Sequence, residues 1–104
     1  MSYTFPDKAA ADILDYTVDW SRYLDGATLS TVTWYCEDAD GVKLNFDTPT
    51  TIINGLQHVS NSNNTESATI QLSLGTAGTT YTLYCAVTTS TGNATESKIK
   101  LDVN

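Results

Sequence analysis

Alternation with a period of two runs through most of this 104-residue chain and limits its fold more than any other feature. From residue 13 onward, Leu14, Tyr16, Val18 and Trp20 share one parity against Asp15, Thr17 and Asp19, as a strand with one buried face requires. The pattern recurs at Val32, Trp34 and Cys36, at Val42, Leu44 and Phe46, and at Ala68, Ile70, Leu72 and Leu74. It returns at Tyr81, Leu83, Cys85 and Val87, and again at Ser97, Ile99, Leu101 and Val103. Turn dipeptides such as Asp25-Gly26 and Gly92-Asn93 separate the runs, and no helical period lies between them. Residues 50–59 are broken by Asn54-Gly55 and read as one bent edge strand or two short ones, and residues 60–67 read as a polar loop. The expectation is an all-β fold, an antiparallel sandwich of about seven strands over residues 13–104.

Residues 1–12 mix Tyr3, Phe5, Pro6, Asp7 and Lys8 with three alanines and show neither period. They are expected to form an arm that orders on a neighbour and whose removal leaves the domain's melting intact. The same stretch has neither the basic start nor the apolar run of a signal peptide, so use without secretory export is expected.

Charge and composition narrow the function. Twelve acidic residues against five basic ones give a net charge of −7, which repels phosphate backbones and makes nucleic acid a poor partner. No apolar run reaches membrane-spanning length. With one histidine, two cysteines and no glycine-rich phosphate loop, the chain is expected to be no enzyme, with no catalytic residues, cofactor or metal. His58 reads as a surface or edge residue, and Glu37, Asp38, Asp40 and Gly41 read as a hairpin turn lacking a calcium-loop spacing. Cys36 and Cys85 share apolar parity with their strands; an inter-sheet bridge is conceivable, and two reduced thiols are the preferred reading.

Gly78-Thr79-Thr80-Tyr81 resembles the turn before the sixth strand of fibronectin type III and related immunoglobulin-like domains. That resemblance implies that Tyr81 buries its ring and bonds its hydroxyl back to the backbone, and that Trp34 is the core tryptophan. The strings Phe5-Pro6-Asp7-Lys8, Leu14-Asp15-Tyr16-Thr17-Val18-Asp19-Trp20, Leu24-Asp25-Gly26 and Val32-Thr33-Trp34, continued by residues 75–83, go further. Together they resemble a family of small tailed-bacteriophage proteins labelled phage fiber-tail adaptor proteins.

The resemblance implies an immunoglobulin-like structural protein of the virion, at the head-to-tail junction, that helps attach tail fibres. Its partners would be portal, connector, tail or fibre proteins, with assembly in the host cytoplasm and several copies per particle. Tyr3 and Phe5 on the arm, and Asp15 and Asp19 on the outward parity of the first strand, are the candidate partner-binding residues. Two alternatives have different surfaces: a capsid decoration protein, and a carbohydrate-binding module using Tyr23, Tyr35 and Tyr84.

Overall fold

The computed structural model describes residues 2–104 and is a sandwich of two sheets. Nine strands follow in chain order: β1 (Ser2–Thr4), β2 (Leu14–Asp19), β3 (Leu29–Glu37), β4 (Lys43–Asn45), β5 (Ile52–Ile53), β6 (Leu56–Asn63), β7 (Ser67–Leu74), β8 (Thr79–Thr89) and β9 (Ala94–Val103). The larger sheet has the order β1-β9-β8-β3-β4 and the smaller one β2-β7-β6-β5. A single helical turn, α1 (Ser21–Leu24), follows β2 and ends at Asp25, whose φ of 45° is left-handed. The strand pairings are antiparallel except that of β1 with β9, which a parallel bridge of Lys8 with Val103 extends.

The alternating parity builds the core. Tyr16 and Val18 of β2, Trp34 and Cys36 of β3, Ile70 and Leu72 of β7, and the inward residues of β8 and β9 are buried between the sheets. Trp20 follows β2 into the core and Phe46 follows β4, which itself is exposed along its length, with Val42 and Leu44 open to solvent. The hairpin of β5 and β6 turns on Asn54 and Gly55, both at positive φ (49° and 88°), the arrangement for which Asn-Gly is suited.

Residues 2–8 depart from the expected arm. β1 runs parallel to β9 with Tyr3 opposite Ile99, and the Phe5 N–H bonds to the Lys100 carbonyl at 2.9 Å. Phe5 is 3% exposed. Three alternating residues are too few to register as a strand in the sequence, and their partner lies at the far end of the chain. The polar residues Ser60 to Asn63 also pair, opposite Gln71 to Ala68 on β7, although all four are exposed. They carry no apolar face because nothing packs over them. Just before them, a register shift between His58 and Ser60 marks a bulge. His58, expected at the surface, is fully buried there, edge-on to Phe46 at 5.7 Å between centroids and 2.9 Å from the Asn61 side chain.

Cys36 lies opposite Leu83 and Cys85 opposite Trp34, on neighbouring strands of one sheet. Topology therefore rules out a bridge between sheets. Both are free buried thiols, pushed up to about 12 by burial. A thiol pKa raised above its ordinary 9.0 stabilises the fold fully below that value, and the contribution is lost as pH climbs toward about 12. At neutral pH a thiol reagent is expected to leave the native protein untouched and to label both cysteines on unfolding without reductant. Labelling that waits for a reductant would contradict this arrangement.

Candidate interaction surface

The sandwich is open on the side where β1 ends one sheet and β2 ends the other. Trp20 donates its N–H to the Glu66 carbonyl at 2.8 Å, and Val18, Tyr16 and Leu14 lie in the same register with β7. In an antiparallel ladder, bonding alternates along the strand. Asp15, Thr17 and Asp19 therefore turn their backbone N–H and C=O groups away from β7, toward the open side.

Tyr3 closes one end of that edge. Its hydroxyl accepts from the Asp19 N–H at 3.3 Å and donates to the Asp19 carbonyl at 3.4 Å. The structure thus brings Tyr3 and Asp19 together, and Asp15 lies farther along the same strand with its side chain exposed. The Asp19 carboxylate accepts from the Ser21 N–H at 2.9 Å, and this bond holds it below its ordinary pKa. Phe5 presents almost no free surface here, being 3% exposed. Its ring stacks on Tyr16 with centroids 4.7 Å apart, inside the core.

Lys8 anchors the same edge. Its side chain is fully buried, and Nζ donates to the carbonyls of Ala9 (2.9 Å), Ala10 (3.3 Å) and Leu74 (2.6 Å). Burial lowers the pKa of the ammonium, and Asp12 pulls it back upward. Lys8 thereby ties the segment after β1 to the end of β7, a role that sequence could not disclose because lysines are almost always exposed.

The outward face of the larger sheet carries a different network. Lys43 of β4 places its ammonium over the rings of Tyr35 (4.7 Å) and Tyr84 (4.4 Å) and pairs with Glu96. The Tyr84 hydroxyl donates to Glu37, and that bond, ahead of burial, pushes the phenol up to about 12. Tyr23 sits apart on α1, edge-on to Trp20. The three tyrosines thus form no common stacking platform for a sugar, and Lys43 already covers two of them.

The remaining residues singled out from the sequence are internal or local. Trp34 is fully buried in β3. Tyr81 is buried at the start of β8, its hydroxyl donating to the Asn54 carbonyl at 2.6 Å and accepting from the Thr76 N–H at 2.9 Å. The Asp38 carboxylate caps its own turn through the N–H groups of Asp40 and Val42, each at 2.9 Å. Among the described residues, no three histidine, cysteine or acidic side chains are grouped to hold a metal ion.

Comparison with known proteins adds one finding to this geometry. The family model described as Podophage GP4 fiber-tail adaptor protein gp77 matches residues 8–102. No curated protein matches the chain.

Proposed function

This chain belongs to the Podophage GP4 fiber-tail adaptor protein gp77 family, and we propose that it acts as an adaptor at the head-tail junction of a tailed-bacteriophage virion, where it helps attach tail fibres. The family match across residues 8–102, which spans both sheets, carries this reading. The chain would then be a non-enzymatic structural component, assembled in the host cytoplasm, with portal, connector, tail or fibre proteins as its partners.

The physical form suits that work. An adaptor has to transmit position between larger bodies, and a sandwich with one continuous core does so with little internal freedom. We also infer that the domain is of the immunoglobulin-like, fibronectin type III-like type. Three features support this: the order β9-β8-β3 against β2-β7-β6, a buried tryptophan on β3, and the Tyr81 hydroxyl bonded back to the Thr76 N–H.

Quantitative mass spectrometry of purified particles tests the location. A copy number that follows the rotational symmetry of the tail is expected, because a junction protein repeats with the ring it sits on. A copy number that follows the capsid lattice would contradict the junction and favour a decoration protein.

A further inference from the structure

We infer that the free edge of β2 is a strand-docking site, and that its occupant is an extended segment of another virion protein in which apolar and basic residues alternate. This rests on the adaptor reading for the source of the segment, but the site itself is argued from geometry. The backbone groups of Asp15 and Thr17 face the open side, while Tyr3 already serves those of Asp19. The slot is therefore bounded at one end and open toward residue 13. An unpaired row of this kind is a template for a further strand.

Side-chain chemistry on the two faces of the slot specifies the occupant. Along the edge runs a groove of about 440 Å³ lined mainly by Tyr3, Phe5, Pro6, Leu14 and Tyr16, together with Thr4, Asp15 and Thr17. The Tyr16 hydroxyl is buried without a hydrogen-bond partner. A strand laid along β2 would direct every second residue over this groove, which suits apolar side chains. The alternate residues would stand beside Asp15, Thr17 and Asp19 on the solvent face. Both aspartates are exposed, and the ion pairs among the described residues, Lys43 with Glu96 and Lys100 with Asp102, involve neither. Glu66 lies with Asp19 and Thr17 along a polar cleft on the same side and adds a further negative charge. Lysine or arginine opposite these acids completes cross-strand pairs, whereas an acidic strand is repelled.

The test uses the whole chain and a synthetic capped peptide, Lys-Val-Lys-Ile-Lys-Val-Lys, titrated by NMR. The peptide is expected to bind and to shift the amides of Asp15 and Thr17 above all others. A version N-methylated at alternate amides keeps the charge but cannot form a ladder, and should bind about tenfold more weakly or worse. Thr17→Pro removes the outward-facing N–H, at a position where an edge strand tolerates proline, and should cause a similar loss, with Thr17→Val as the control that removes only the hydroxyl bond to Thr69 and should bind like the parent. If the proline variant fails to fold, Asp15→Lys serves instead and should shift preference toward the matching Glu-Val-Glu-Ile-Glu-Val-Glu peptide. Equal binding of the methylated and unmethylated peptides would overturn the inference by reducing it to charge attraction. Absence of binding would overturn it as well, and so would concentration-dependent self-association abolished by Thr17→Pro, which would make a second copy the occupant. The adaptor reading fails separately, by absence of the chain from particles, whatever the peptide does.

Discussion

Tyr81→Ala is expected to lower the stability of the domain by roughly 3–5 kcal/mol, the cost of emptying a large buried aromatic site. The ring is buried at the point where the two sheets meet, and its hydroxyl bonds to two backbone groups at once. One is the Thr76 N–H in the turn between β7 and β8, and the other is the Asn54 carbonyl in the β5–β6 turn. Gly55 sits against the same point: a side-chain carbon there would lie 2.8 Å from the Thr76 hydroxyl and 3.6 Å from the Tyr81 hydroxyl. Tyr81→Phe retains the ring and orphans both partners, which is expected to cost about 1–3 kcal/mol. Urea denaturation of the two variants separates the contributions. A Phe variant with the parent midpoint would mean that the hydroxyl bonds add nothing, and a parental Ala variant would remove Tyr81 from the core.

Lys8→Ala should cost about 2–4 kcal/mol, through the space left by its stem and the carbonyls left without a donor. Lys8→Met keeps most of the stem while losing the donor, so it isolates the hydrogen-bonding share. Exchange of the β1 amides reports the mechanism more directly. Loss of Nζ should release the segment that follows β1 from Leu74, and the Phe5 N–H bond to Lys100 should open with it. By the same logic, deleting residues 1–8 removes β1, Phe5 and Lys8 together and should abolish the cooperative melt. Parent-like melting of the deletion would mean that these residues are, after all, separable from the sandwich.

Much of this architecture follows from side-chain parity. The runs around Tyr16, Trp34, Ile70, Leu83 and Ile99 each have one buried face in the structure, because two packed sheets leave an alternating strand no other low-energy choice. Where parity carries no signal, the sequence is silent. β1 is three residues long, and its pairing joins the two ends of the chain. Residues 60 to 63 pair through the backbone alone, so polar composition hides a strand. His58 keeps the inward parity of Leu56 in the register that precedes the bulge, against the usual placement of a lone histidine. The candidate surface divides in the same way. Outward-facing Asp15 and Asp19 are legible from parity, whereas the free backbone of β2 depends on that strand ending its sheet, and strand order is a property of the whole fold. The burial of Phe5 is hidden in the sequence for a related reason: its stacking partner Tyr16 lies on the other sheet.

The proposed joining of fibres to the tail is tested by counting fibres on particles assembled without this protein. Particles from a phage lacking the chain are imaged by electron microscopy beside particles complemented with it in trans. Filled heads whose tails lack fibres, with fibres restored by complementation, are the predicted result. Fully fibred, infectious particles that lack the chain would contradict the account.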